Sequence, residues 1–149
     1  MQITLAYIGP RASSGDEFER LAQTYLQRTS SFARCESVAF RSEQALLDWL
    51  SKQQGRTQPA VALLDSRGRQ MTSEAFAAWL GVRRDEGAQL IVFAIGPASG
   101  WSDATRKDAR LLLSLGPFTL AHGLARVVMA EQIYRASTIL SGHPYHTGH

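Results

Sequence analysis

Two short, almost purely apolar segments constrain the fold of this chain more than any other feature. Residues 60–64 and 90–95 read Ala-Val-Ala-Leu-Leu and Leu-Ile-Val-Phe-Ala-Ile, without the polar alternation of a strand that faces water on one side. Such runs are typical of strands buried on both faces, which occur mostly in parallel sheets. Helix-like segments separate the strand-like ones. The sequence therefore predicts an α/β protein with a doubly wound, mostly parallel sheet and helices on both faces.

The predicted elements alternate along the whole chain. Strands are expected at 3–8, 36–40, 60–64, 90–95 and 111–115. Helices are expected after the turn 13–16, after the cap residues Ser42, Thr72 or Ser73, and Ser102, and over about 120–140. A turn is expected at 66–69, between the third strand and its following helix. Because no long linker interrupts the series, residues 1–149 are expected to form a single domain.

The composition is that of an ordinary globular protein, with 44% hydrophobic and 19% charged residues. Its apolar runs are far too short to span a membrane, so no membrane partner is expected. The chain enters a strand-like segment directly, without a basic region or cleavage site, which argues against a signal peptide. Cys35 is the single cysteine and is expected to be a small buried hydrophobe, and its isolation favours a cytoplasmic location.

The charge is mildly basic, with a formal net charge of +3, and Lys52 and Lys107 are the only lysines. Arginine suits phosphate and planar base recognition better than lysine does. This balance is compatible with RNA binding but does not demand it. We expect affinity for RNA to depend on seven basic residues: Arg67, Arg69, Arg83, Arg84, Arg106, Lys107 and Arg110. The alternative is that several of them are solvated charges on helix faces.

Several classes of site are missing from the sequence. It has no glycine-rich phosphate loop ending in Lys-Ser/Thr, no dinucleotide fingerprint and no serine nucleophile elbow. We expect no metal site, because His143, His146 and His149 have no zinc-type spacing and would bind a metal only weakly. Two glycine loops remain, 96–100 and 116–117, which follow the strands at 90–95 and 111–115. We expect these strands to be neighbours, which would put a small-molecule site built from backbone groups at their carboxyl ends.

The order of motifs resembles the RlmH-type family of the SPOUT superfamily, the ribosomal large-subunit pseudouridine N3-methyltransferases. The most specific match is the block from Thr119-Leu120-Ala121-His122 through Glu131-Gln132-Ile133-Tyr134-Arg135-Ala136 to His143-Pro144-Tyr145-His146. Further matches are the opening strand 1–5, the Leu64-Asp65-Ser66-Arg67-Gly68-Arg69 turn, the Thr72-Ser73-Glu74 helix start and the loop 95–102.

The resemblance implies a C-terminal trefoil knot over about residues 89–149, an obligate homodimer and S-adenosylmethionine as the cofactor. It also implies that the substrate is RNA of the large ribosomal subunit or the assembled ribosome. By position, the implied cofactor-binding residues are Leu64, Asp65, Gly96, Pro97, Gly100, Gly116, Pro117, Phe118, Thr119, Leu120 and Ala121. Trp101, directly after the loop 96–100, is expected to pack rather than to stack on a base.

The same resemblance places the tail near the cofactor of a partner subunit. Tyr145 and His146 are then candidate catalytic residues, and Arg135 could steady a phosphate or developing negative charge. A structural alternative is that Arg135 only pairs with Glu131, four residues earlier on the helix. In the implied reaction, N3 of the pseudouridine attacks the methyl group and must lose its proton. A base or solvent could accept this proton, or a cationic neighbour could favour the imidate.

One departure from the family pattern leaves alternatives open. Pro97 stands where the family usually has a second glycine, so one amide donor is lost and φ is fixed near −65°. The chain is therefore either an active methyltransferase or a dimeric ribosome- or RNA-binding homologue with weakened or lost methyl transfer. A third interpretation is a methyltransferase with a shifted RNA target, since the basic stretch of many relatives is replaced here by Phe40-Arg41-Ser42-Glu43.

Overall fold

A computed structural model describes residues 1–53, 55 and 57–148 and confirms the α/β prediction. Strands and helices alternate in this part of the chain. The elements are β1 (Gln2–Ile8), α1 (Glu17–Thr29), β2 (Arg34–Phe40), α2 (Glu43–Ser51), β3 (Ala60–Gln70), α3 (Ser73–Asp85), β4 (Leu90–Ile95), α4 (Asp103–Asp108), β5 (Leu111–Ser114), α5 (His122–Ser141) and a 3-10 turn at His146–Gly148. None of the helices in these ranges is long and apolar enough to cross a membrane.

The five strands form one sheet in the order β2-β1-β4-β3-β5, and every pairing is parallel. The sheet is doubly wound, as predicted, because β2 lies on one side of β1 and the later strands lie on the other. The expectation that the strands before the two glycine loops are neighbours is wrong, because β3 lies between β4 and β5. The carboxyl end of β3 therefore separates the loop after β4 from the loop after β5. The knot implied by the resemblance stays a prediction.

Both faces of the sheet are covered, which explains the unbroken apolar strands. Along β4, Ile91, Phe93 and Ile95 belong to the core that packs against α1, α3 and α5. Val92 and Ala94 belong to the opposite core, which contains α2 and Trp101. All five of these side chains are buried. Because successive side chains of a strand point to opposite faces, neither face of β4 tolerates a polar residue.

Helix starts follow local capping chemistry. The side chains of Ser42, Thr72 and Ser102 each accept a hydrogen bond from the backbone N–H three residues later, so the predicted caps are confirmed. Helix α5 begins at His122 rather than near residue 120. The residue before it, Ala121, offers no side-chain cap, so the sequence carried no signal for the boundary.

Strand β3 is longer than predicted, and the expected turn at 66–69 is wrong. The strand runs to Gln70, with a register shift in which both Leu64 and Arg69 lie opposite Leu113 of β5. Residues 65–68 form the irregular part. An ideal Cβ at Gly68 would lie 2.6 Å from the carbonyl carbon and oxygen of Leu112, so only glycine fits where β3 passes so close to β5.

We expect Gly68→Ala to lower the free energy of unfolding by about 1–3 kcal/mol, because the added methyl group meets backbone atoms that cannot rotate away. Urea unfolding followed by circular dichroism measures the change. Gly15→Ala is the matched control, since a Cβ at Gly15 meets nothing within 4 Å. Equal stability of the two variants would contradict the close approach.

Candidate cofactor and substrate site

The indole of Trp101 fastens the end of β3 to the loop after β4. Its Nε1 donates a hydrogen bond of 2.9 Å to the carbonyl oxygen of Leu64. The ring also lies so close to Gly96 that a Cβ there would be 2.8 Å from it. With 6% of its surface exposed, Trp101 is a packing residue, as expected, and offers no free face to a base.

The loop with the unusual proline forms a regular turn. The carbonyl oxygen of Pro97 accepts a 2.9 Å hydrogen bond from the N–H of Gly100. Gly100 has φ of +84°, a left-handed conformation that favours glycine. Pro97 therefore does not prevent the turn from closing, although it removes one amide donor from the loop.

Asp65 is fully engaged within the protein. Its Oδ1 accepts the N–H of Arg67 at 2.8 Å, and its Oδ2 lies 2.7 Å from Nε of Arg106 in α4. Burial opposes the charge, but these hydrogen bonds and the two guanidinium charges outweigh it and hold the pKa of Asp65 below its ordinary value. The carboxylate thus ties the irregular part of β3 to α4.

A cavity of about 240 Å³ lies between the start of α3, the end of β5 and α5. Its walls are largely apolar, with hydroxyl and amide groups but no charged side chain: Gln70, Met71, Thr72, Ser73, Phe76, Leu113, Ser114, Leu115, Gly116, Val128, Met129 and Gln132. Gly116, with φ of +114°, is the one implied cofactor residue in this lining.

The rest of the segment after Gly116 is open. Pro117, Thr119 and Ala121 are exposed, Leu120 is half-buried, and Phe118 exposes 85% of its surface. The segment thus continues from the Gly116 wall of the cavity as an open surface that carries an apolar ring.

The three candidate catalytic residues meet in one cluster within the same chain. Arg135 lies under the ring of Tyr145, 4.9 Å from its centroid, and its Nη1 is 2.9 Å from Nδ1 of His146. Glu131 holds both partners: its Oε1 accepts Nη2 of Arg135 at 2.7 Å and the Tyr145 hydroxyl at 3.2 Å. Glu74 of α3 lies 2.7 Å from Nε2 of His146. The structural alternative, the Glu131–Arg135 pair, is therefore present, but as part of a larger network.

A short chain of hydrogen bonds joins this tail cluster to the cavity. Gln132, in the cavity wall, donates from Nε2 to Oε2 of Glu131 at 3.1 Å. Its Oε1 accepts from the hydroxyl of Ser73 at 2.9 Å. The amide of Gln132 is thereby fixed in one orientation.

The network determines which protons Tyr145 and His146 can move. Burial and the neighbouring carboxylate of Glu131 raise the pKa of Tyr145 to about 12, so the phenol keeps its proton near neutral pH. Because a guanidinium only donates, Nδ1 of His146 accepts from Arg135, and Nε2 carries the proton that faces Glu74. Both ring nitrogens of His146 are then in use.

Sequence reasoning missed three members of this network, Glu74, Gln132 and Ser73. All lie inside the quoted motifs, but only the contact between α3 and α5 shows that they face the tail. Of the weak metal candidates, His143 accepts the N–H of Tyr145 at 3.2 Å, and His149 lies outside the described residues. The described ranges contain no group of three or more His, Cys, Asp or Glu side chains suited to a metal.

Most of the expected RNA-binding arginines are already paired. Arg106 and Arg67 contact Asp65, Arg84 contacts Asp85, and both Arg83 and Arg110 contact Glu86. Cys35 packs half-buried against the core, and burial and the charge of Glu36 raise its pKa to about 12, so its thiol stays protonated.

Comparison with known proteins identifies close relatives. A family model described as predicted SPOUT methyltransferase matches residues 1–146. A protein of Koribacter versatilis named ribosomal RNA large subunit methyltransferase H is 46% identical over 149 residues, all of both chains. A protein of the same name from Brucella ovis is 52% identical over 87 residues, which cover 58% of this chain and 52% of that protein.

Among solved structures, the SpoU methyltransferase AviRb from Streptomyces viridochromogenes, in complex with AdoMet, aligns with a TM-score of 0.47 and 11% identity. The alignment covers 91% of this chain and 57% of that one.

We expect Asp65→Asn to lower the free energy of unfolding at neutral pH by about 1–3 kcal/mol, because a buried ionised acceptor is lost. The folded pKa of Asp65 is depressed, so its contribution is present above the unfolded pKa of about 4 and is lost as pH falls through the folded pKa. The difference between wild type and variant should therefore shrink in acid, as measured by urea unfolding from pH 7 to 3.

Asp103→Asn is the control for this measurement. Asp103 lies 3.9 Å from the same Arg106, but its side chain is 97% exposed, so its removal should have little effect at any pH. An Asp65→Asn variant whose deficit stays constant from pH 7 to 3 would contradict the assignment.

Proposed function

Because the chain belongs to the SPOUT methyltransferase family, we propose that it methylates N3 of a pseudouridine in the RNA of the large ribosomal subunit, with S-adenosylmethionine as the methyl donor. The observation that carries the substrate is the match, across the full length of both chains, to the ribosomal RNA large subunit methyltransferase H of Koribacter versatilis. Residues 1–149 act as a single cytoplasmic domain, and the substrate is the large subunit or the assembled ribosome.

The residues at the carboxyl edge of the sheet fit a cofactor bound mainly through backbone groups. The cavity beside Gly116 has apolar walls and fixed amide and hydroxyl groups, which suits a neutral heterocycle such as adenine. At about 240 Å³ it is smaller than the pockets of drug-sized ligands, so the open segment that contains Phe118 would hold the rest of the cofactor. The bound cofactor supplies a methyl group on a sulfonium centre.

Leu64 and Gly96 would line the cofactor from the other side of β3, where Trp101 holds them together. Asp65 would line the same edge, and its contact with Arg106 of α4 supports it there. An in-line methyl transfer requires mainly that the reacting atoms are held in contact and aligned, so a rigid edge is the main contribution of these loops.

Arg135 is the residue that we assign to the charge on the substrate. The imide of a pseudouridine becomes negative as N3 loses its proton, and a nearby guanidinium favours that anion. Burial disfavours the charged form of Arg135. The hydrogen bond and negative charge of Glu131 have the larger effect, so the pKa of Arg135 is raised above its ordinary value. Two of its nitrogens contact Glu131 and the third contacts His146, so the guanidinium is held in one orientation.

Tyr145 and His146 act by holding Arg135 and contacting the substrate, not as the base. The phenol keeps its proton and directs it to Glu131, and His146 has neither ring nitrogen free. This arrangement therefore favours a route in which Arg135 stabilises the imidate and solvent accepts the proton from N3.

The protein acts as a homodimer in this proposal. Three large apolar side chains of α1 and α5, Phe18, Leu21 and Leu124, are exposed by 36%, 47% and 38%. Phe118 adds a fourth exposed apolar residue. A monomer would leave this surface in water, whereas a second copy can cover it and bring its own tail cluster to the cofactor edge.

The alternative, a binding-only homologue, depends on Pro97. The turn from Pro97 to Gly100 closes normally, which supports an active enzyme, while the missing amide donor supports weakened cofactor binding. A shifted RNA target leaves cofactor binding intact and changes only the modified nucleotide.

We expect saturable binding of S-adenosylmethionine to the purified protein by isothermal titration calorimetry, with one site per protomer or per dimer. Pro97→Gly should change the affinity less than tenfold, because the turn already closes with proline. If the wild type shows no binding up to about a millimolar, which means a binding free energy weaker than roughly −4 kcal/mol, and Pro97→Gly restores binding, the binding-only alternative is correct.

We expect transfer of labelled methyl groups to ribosomes that lack the modification, with mass spectrometry mapping the product to N3 of a pseudouridine. Arg135→Gln should reduce kcat at least about a hundredfold, because the charge that stabilises the anion is lost. S-adenosylmethionine affinity should stay within a few-fold. Arg34→Gln, at the start of β2, is the control that removes an exposed arginine elsewhere. Full activity of Arg135→Gln, or methylation of another base, would contradict these assignments.

A further inference from the structure

A second group of cationic residues lies at the carboxyl edge of the sheet, outside the implied cofactor loops. Arg11 belongs to the loop that follows β1, and Arg20 to the first turns of α1. Strand β1 pairs directly with β4, with Tyr7 opposite Ile95. The Arg11 loop therefore begins beside the loop that contains Pro97.

These two arginines line an open groove along α1. The other lining residues are mostly hydroxyl and amide side chains: Ala12, Ser13, Ser14, Glu19, Gln23, Thr24 and Gln27. Both arginines are exposed, and neither forms an ion pair within the described part of the chain. In this they differ from Arg67, Arg83, Arg84, Arg106 and Arg110, which contact carboxylates.

The acidic residue in the groove does not cancel this charge. Glu19 forms a 2.5 Å ion pair with Arg126 of α5 and accepts a hydrogen bond from Gln23. Asp16 caps α1 by accepting the N–H of Glu19. Glu17, at the first position of α1, is the remaining exposed carboxylate close by.

The loop that carries Arg11 is held in place. The N–H of Ala12 donates to the hydroxyl of Tyr7 at 3.0 Å, and the Tyr7 ring lies 4.4 Å from the guanidinium of Arg126. The N–H of Gly9 donates to the carbonyl oxygen of Phe40 at 2.8 Å. Arg11 therefore loses little loop entropy when it binds a ligand.

We propose that the α1 groove binds the phosphate groups of an RNA strand next to the methylated nucleotide, through Arg11 and Arg20. The assignment rests on the proposed function for the identity of the RNA. Guanidinium groups flanked by hydroxyl and amide groups suit phosphate oxygens, and such contacts position a nucleic acid without reading its sequence. One end of the groove is the loop that follows β1, which begins beside the Pro97 loop, so an RNA bound along the groove would extend towards the cofactor edge.

The test compares the double variant Arg11→Ala/Arg20→Ala with a control of equal charge, Arg34→Ala/Lys52→Ala. Arg34 begins β2 and Lys52 directly follows α2, so both lie near the amino ends of the strands, away from the groove. Filter binding at several KCl concentrations uses large ribosomal subunits that lack the modification and, separately, a single-stranded RNA of about twenty nucleotides.

We expect the double variant to weaken binding to both probes roughly tenfold and to lower the slope of log affinity against log salt by about 1.4. The control variant should stay within about twofold of wild type. S-adenosylmethionine binding should be unchanged in both, because neither pair contacts the implied cofactor loops.

Equal loss in both variants, or no loss in either, overturns the groove and leaves the methyltransferase proposal intact. If the wild type binds the short RNA but not ribosomal subunits, the proposed substrate is contradicted. The groove is then tested by comparing the two variants on the short RNA alone. Failure of the wild type to bind either probe at low salt overturns the groove. So does binding of a polyglutamate peptide that the Arg11→Ala/Arg20→Ala variant loses, if the wild type does not bind RNA.

Discussion

The hydrogen bond from the Trp101 indole to the carbonyl oxygen of Leu64 is the interaction on which the geometry of the proposed cofactor edge depends. It crosses from the loop after β4 to the end of β3, the strand that separates the two glycine loops. The ring fills the space beside Gly96, so the same contact fixes two of the three implied cofactor segments, those at 64–65 and 96–100. Asp65, the residue after Leu64, adds a second contact, to Arg106 of α4. Backbone groups can bind a cofactor only where the chain is held this firmly.

What the sequence predicts well is local chemistry. Strand β4 has the predicted ends, and Ser42, Thr72 and Ser102 cap the helices as expected, because each signal lies within a few residues of its effect. The strand order could not be read in the same way. The position of β3 between β4 and β5 depends on contacts between segments far apart in the chain, and the extension of β3 past Gly68 depends on pairing with β5.

The same limit applies to the site. The sequence places Arg135, Tyr145 and His146 together only through resemblance, whereas the contacts of Glu131 and Glu74 show how they are held. It also cannot separate paired from unpaired arginines. Arg83, Arg84 and Arg110 neutralise carboxylates, so a count of basic residues overstates the charge that this surface offers to RNA.

Strand β2 forms one edge of the sheet, and its outer residues restrict how two copies can meet. Arg34 and Glu36 are exposed there, and Glu36 is held by Gln2 of the adjacent strand at 3.0 Å. Charged side chains on an edge strand oppose its extension by a strand from another molecule, which is the first step of many aggregation reactions. Continuous sheets across two copies are thus disfavoured at this edge, which leaves the helical faces as the surfaces open to association.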